Sequence, residues 1–223
     1  MIYLLPVLGV LLSFLFVLIV KPQKNEYYKL LLAFSGAFLL ALTIFELLPE
    51  VYTVSNPKTV GIFIMMGILF QIFLEFFSKG AEHGHVHLSK EHQHFPWLLF
   101  SSLCLHALLE GMPIGSNETI IYGILIHKIP IALILSIFLL GSKIKPLYAG
   151  IFMVLFSIMT PIGTFLVEHV NLLNKYMTLL NALVIGIFLH ISTVILFESS
   201  EGHKFNSRKL SVIILGVTIA YFL

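Results

Sequence analysis

Two short runs in very apolar surroundings carry the residues that could do chemistry: His106-Ala-Leu-Leu-Glu110-Gly111 and His127-Lys128-Ile129-Pro130. Ionisable side chains inside bilayer-grade sequence are costly and rare, and they usually line an ion or substrate path. His106 and Glu110 are four apart, so on a helix they share a face. His127, from the next apolar segment, can meet them. Two imidazoles and a carboxylate suit zinc, Fe(II), Mn(II) and other first-row divalent cations. Three protein ligands leave room for water, which suits a site that must release its ion. The plainer alternative is a buried polar cluster that holds helices together through hydrogen bonds.

The elements that must position these residues are membrane helices. Of 223 residues, 58% are hydrophobic and only 11% are charged, with a mean hydropathy of +1.01; a typical soluble domain is about 25% charged. Apolar runs of the length needed to cross the hydrocarbon core occur at 2–20, 28–48, 59–77, 96–115, 119–140, 146–167, 177–197 and 209–223. The sequence therefore predicts an all-α membrane protein with eight transmembrane helices in a single domain, 1–223. The first run lacks a basic n-region and an evident cleavage site, so it reads as a retained span rather than a signal peptide. The one cysteine, Cys104, lies inside span 4 and leaves no disulfide framework.

Counting from the span ends, His106 and Glu110 lie near the midpoint of span 4. His127 lies about two turns into span 5, at similar depth. Both helices carry breakers: Gly111 and Pro113 follow Glu110, and Pro130 follows His127. A proline cannot donate to the carbonyl four residues back, so Pro113 and Pro130 are expected to free the carbonyls of Leu109 and Ile126 beside the candidate ligands. Broken helices at the midplane are where transporters place substrate. Lys128 either pairs with Glu110 or snorkels toward an interface. It could also stand where a second cation would otherwise bind, and a fixed ammonium there repels a metal.

Loop charge sets topology. Lys21, Lys24, Lys29, Lys79, Lys90, Lys143, Lys145, Lys204, Arg208 and Lys209 fall on one side, and only Lys58 and Lys175 on the other. The first side is read as cytoplasmic, which makes both ends of the chain extracytoplasmic. The one long loop, at about 79–95, then lies in the cytoplasm. It holds His83, His85, His87, His92 and His94, five of the ten histidines, in a spacing suited to loose metal capture.

At these residues the chain resembles the ZIP (Zrt/Irt-like) family of divalent-metal transporters. The family's span 4 pattern His-Asn-x-x-Glu-Gly appears as His106-Ala107-x-x-Glu110-Gly111, and His-Glu-x-Pro-Glu/His of span 5 appears as His127-Lys128-Ile129-Pro130-Ile131. The span 2 ending His-Leu-x-Pro-Glu appears as Glu46-Leu47-Leu48-Pro49-Glu50. Glu-Pro-x-Gly of span 6 appears as Thr160-Pro161-Ile162-Gly163, and Phe-Leu-Tyr-Val of span 7 as Phe188-Leu189-His190-Ile191. The resemblance implies a ZIP-like bundle (3+2+3) in which spans 1, 4, 5 and 6 move against the rest. It also implies a homodimer and metal flow into the cytoplasm. The family has a binuclear centre; Ala107, Lys128, Ile131 and Thr160 stand at positions that serve it. One site carries over, made by His106, Glu110 and His127, with Lys128 in place of the second cation.

The expected function is transport of a divalent transition metal, zinc first, with Fe, Mn and Cd as further substrates. Glu46 and Glu50 would attract cations at the outer mouth, and His190, Glu198 and His203 would lie toward the cytoplasm. The metal is substrate, no organic cofactor or nucleic acid is expected, and the chain is not read as an enzyme. The expected location is a cell membrane, multi-pass, taken as a bacterial inner membrane. Two readings compete. One is a non-transporting membrane metal sensor. The other is an intramembrane metal-dependent hydrolase, with zinc on His106, His127 and His190 and Glu110 as base.

Overall fold

The computed structural model describes residues 2–22, 26–78, 80–81, 95–115, 119–198 and 207–223. Every regular element among them is helical: α1 (Leu5–Val20), α2 (Glu26–Leu42), α3 (Leu48–Val54), α4 (Pro57–Ser78), α5 (Trp97–Glu110), α6 (Ile120–Gly141), α7 (Pro146–His169), the single turn α8 (Asn171–Lys175), α9 (Met177–Glu198) and α10 (Ser207–Tyr221). The His-rich loop from His83 to His94, together with His203, lies outside the described residues.

Local chemistry sets several of these boundaries. α4 starts at Pro57, where the missing N–H costs nothing, and the Asn56 side-chain oxygen accepts from the backbone N–H groups of Lys58 and Thr59. α7 likewise starts at Pro146. α1 ends when Lys21 turns left-handed, at φ 50, and its N–H returns to the Val17 carbonyl; Pro22 then bars continuation.

Among the described residues, six helical stretches are long and apolar enough to cross a membrane: Tyr27–Val54, Pro57–Ser78, Trp97–Gly115, Ile120–Gly141, Pro146–His169 and Met177–Phe197. α1, with 16 residues, and α10, with 15, fall short of the usual span. The second span runs farther than expected, to Val54. Its sequence passes through Pro49 without stopping because one π-helical turn, Thr43–Leu47, joins α2 to α3. Pro49 would crowd the carbonyl four residues back in a regular α-turn. The wider turn relieves this, and the Leu48 N–H reaches the Thr43 carbonyl five residues back.

Two buried clusters organise the packing. One joins α1, α5, α7 and the C-terminal half of α6 around Val10, Leu103, Leu135, Phe152 and Phe156. The other joins α2, α4, α9, α10 and most of α6 around Phe38, Leu42, Ile64, Ile124 and Phe188. α6 belongs to both and so lies at their boundary. Each group has one very close crossing between parallel helices. A Cβ on Gly163 of α7 would stand 1.9 Å from the Leu108 carbonyl oxygen of α5. A Cβ on Gly67 of α4 would stand 1.9 Å from the Leu183 carbonyl oxygen of α9. Small residues at such points let backbones approach, which is how membrane helices gain packing without a hydrophobic drive between them.

The two expected proline breaks have different outcomes. α5 does end at Glu110, and Met112–Gly115 continues as a 3-10 turn around Pro113. α6, by contrast, runs unbroken from Ile120 to Gly141 with Pro130 inside it. One lost hydrogen bond does not stop a helix whose neighbours pack closely on both sides, as membrane helices commonly tolerate.

Candidate metal centre

α5 and α6 bring His106, Glu110 and His127 together. Their donor atoms all lie within 4.8 Å of one another, and all three side chains are buried. His106 and Glu110 are one turn apart on the same face of α5, with His106 Nε2 3.1 Å from Glu110 Oε2. His127 reaches them from α6, one residue before Lys128 in the chain. These three side chains sit at 1–3% exposure.

The second carboxylate oxygen, Glu110 Oε1, is held differently. The Lys128 ammonium pairs with it, and the Thr160 hydroxyl lies 3.2 Å from it. Lys128 is almost wholly buried. Its Nζ also stands 4.3 Å from the centre of the Phe156 ring, a cation–π contact that partly replaces lost water. Of the fates expected for Lys128, pairing with Glu110 is observed and snorkelling is not.

α7 sets the back wall. The Thr160 hydroxyl is 3.1 Å from the Ala107 carbonyl, and one turn on Thr164 donates to the Gly111 carbonyl at 2.7 Å. These two bonds fix a parallel register between α5 and α7, and the close approach at Gly163 makes them reachable. The backbone N–H of Gly111 turns back to the Leu109 carbonyl, so the oxygen that Pro113 was expected to leave for a ligand is already engaged.

Leu103, His106, Glu110, His127, Lys128, Ile131 and Phe156 enclose a cavity of about 10 Å³, close to the least that holds one water molecule. Among the described residues, His106 Nδ1 has no hydrogen-bond partner. Among those residues the ring thus has none of the outer hydrogen bonds that usually orient a metal-bound histidine.

The remaining expected path residues stand apart from this cluster. Glu46 lies in the π-helical turn and Glu50 in the first turn of α3, both half-buried. Glu198 is the last residue of α9. His190 meets Glu75 of α4, Nε2 to Oε2 at 2.8 Å, and does not join His106 and His127. The ligand set His106, His127 and His190 that the hydrolase reading needs is therefore not assembled, because α9 packs on α4 rather than against the cluster.

Sequence reasoning missed Glu75, Gln71 and Phe156. An acid inside the apolar run 59–77 was a signal for Glu75 by the same rule that exposed Glu110. Phe156 had no signal, since an aromatic in a membrane helix is ordinary until its neighbour is a lysine.

The ZIP Zinc transporter family model matches residues 80–223, more than half of the chain. The chain belongs to the ZIP family. Among curated relatives, Zinc transporter ZIP1 of Danio rerio is 39% identical over 93 residues, covering 38% of this chain and 30% of the relative. Zinc transporter ZIP1 of Takifugu rubripes is 34% identical over 89 residues, 37% of this chain and 30% of the relative. Protein zntD of Dictyostelium discoideum is 29% identical over 152 residues, 57% of this chain and 22% of the relative. The chain thus matches under a third of the length of each of these relatives. All three are eukaryotic and lend no support to a bacterial inner membrane. As a ZIP-family chain with six membrane-length apolar helices, this is a multi-pass membrane protein.

Proposed function

We propose that this ZIP-family chain carries a divalent transition metal, zinc first, across the membrane into the cytoplasm through one mid-membrane site. The supporting observation is the convergence of His106, Glu110 and His127, from α5 and α6, within 4.8 Å and buried. The relatives named zinc transporters support zinc as the first substrate. Fe, Mn and Cd fit the same donors.

In this reading two imidazoles and one carboxylate oxygen hold the ion. Lys128 keeps the other carboxylate oxygen and takes the place of a second cation, so the site binds one metal per chain. The bulk of the transport machinery is one membrane domain of eight spans, α1 and α10 included, with loops rich in lysine on the cytoplasmic side. Glu46 and Glu50 gather cations at the outer mouth, and His190, Glu198, His203 and the histidines at 83, 85, 87, 92 and 94 receive them inside. The boundary between the two buried clusters, with α6 at the seam, is where one helix group slides against the other. A homodimer is the assembly this reading carries from the family.

The test is zinc uptake into proteoliposomes holding a metal-sensitive dye, wild type beside His106→Ala. Uptake in the first and none in the second is the expected result. A second reading, a metal sensor, draws on the tight cavity and the ammonium already paired to the carboxylate. Zinc bound in detergent with no uptake in either protein would favour it.

A further inference from the structure

α4 carries a polar row on the face it turns toward α9. The close approach of α4 and α9 fixes which face is shared: Ile64, Gly67 and Ile68 lie against Leu183 and Gly186. Gln71 and Glu75 continue that row at helical spacing. Glu75 meets His190 of α9 at 2.8 Å, with side chains 28% and 15% exposed. Gln71, between the crossing and that pair, is fully buried, and neither end of its amide has a hydrogen-bond partner among the described residues. Buried amides without partners are rare, and polar groups at membrane depth usually line ion paths.

Register connects this row to the central cluster. Ser102 of α5 donates to the Leu74 carbonyl of α4 at 2.8 Å, and nearer the connecting loop Ala81 packs in one cluster with Leu99. α4 and α5 thus run in opposite directions. His106 is one turn beyond Ser102, and Gln71 is one turn before Leu74, so the two share a depth. Glu75 lies one turn further along α4, about 6 Å at 1.5 Å per residue, and His190 of α9 meets it there. They lie toward the end from which the His-rich loop departs.

We propose that Glu75 and His190, with the Gln71 carboxamide oxygen, form a second site for the same divalent transition metal, one helical turn from the central cluster on its way to the His-rich loop. The donors are a carboxylate, an imidazole and an amide oxygen, a borderline set suited to first-row divalent ions. With one histidine fewer than the central site, it binds less tightly and hands the ion on. The proposal rests on the transport reading of the central cluster.

The test counts bound zinc by equilibrium dialysis of the full chain in lipid nanodiscs, and measures zinc uptake in parallel. Glu75→Gln keeps a hydrogen bond to His190 but removes the carboxylate. Glu75→Gln and His190→Gln should each lose one zinc per chain relative to wild type and cut uptake tenfold or more. His106→Ala should lose a different zinc, so that the double variant His106→Ala/Glu75→Gln loses two. Wild-type zinc counts and uptake in Glu75→Gln would overturn the proposal and leave the pair as a tie between helices. If the wild type shows no uptake, the transport reading fails, while the zinc counts still decide whether this site exists.

Discussion

The Lys128 ammonium pairs with Oε1 of Glu110, the carboxylate oxygen that His106 does not touch. One buried carboxylate is thereby divided between a fixed cation and the imidazole edge of the metal cluster. An ammonium within a few ångströms of a divalent ion repels it by several kcal/mol even at an effective dielectric of about 20. Lys128→Met should therefore tighten zinc binding by about tenfold or more, as read by competition with a fluorescent chelator. Without metal the same variant leaves Glu110 buried with only His106 and Thr160 as partners, and the loss of its one permanent cation should cost about 3–5 kcal/mol of stability. The zinc-induced rise in thermal midpoint should be larger than in wild type.

Among the described residues Glu110 is the only carboxylate in the cluster, and it also holds Thr160 and Lys128. Glu110→Ala should abolish zinc binding at the central site, as measured by isothermal titration in detergent. Unchanged affinity would remove the site assignment altogether.

Protons and metal compete for the same imidazole nitrogens of His106 and His127. A bound metal needs both rings neutral and the carboxylate ionised, so acidification can only weaken binding. Affinity should fall by up to about tenfold per pH unit for each proton the metal must displace. Zinc affinity measured from pH 7.5 down to 5.5 should decline steadily. A rise on acidification would mean the imidazoles are not ligands.

The α5–α7 register depends on a missing side chain. A methyl at position 163 would fall 1.9 Å from the Leu108 carbonyl oxygen, and backbone cannot step aside as a flexible side chain can. Gly163→Ala should cost about 2–3 kcal/mol. It should also spoil the site by moving the Thr160 hydroxyl away from Glu110. A lower thermal midpoint together with weaker zinc binding is expected; a loss of stability with zinc affinity intact would separate the wall from the site.

The legible part of the site was the part written at helical spacing. His106 and Glu110 are four apart, and their i,i+4 contact was bound to form once span 4 was helical. His127 could be placed at the right depth by counting from the span end. The proline reading was half right because sequence marks where a hydrogen bond is lost but not whether neighbours hold the helix together. Pro113 ends α5, whereas Pro130 passes inside an unbroken α6. His190 was legible as a membrane histidine, yet its partner Glu75 is 115 residues away in sequence, and no local pattern links them.

Sequence alone determined the membrane setting, the helical class, the identity of the three candidate ligands and the substitutions at Ala107, Lys128, Ile131 and Thr160. The first three follow from composition, periodicity and spacing over a few residues; the substitutions are what the resemblance to the ZIP family's motifs implies. Only the tertiary structure decided that Lys128 turns inward onto Glu110 over Phe156, that Thr160 joins the same oxygen, and that His190 goes to Glu75 instead of the central cluster. Those outcomes depend on which helices cross and how closely. The glycine contacts at positions 67, 111, 163 and 186 govern that approach, and each acts between segments far apart in the chain.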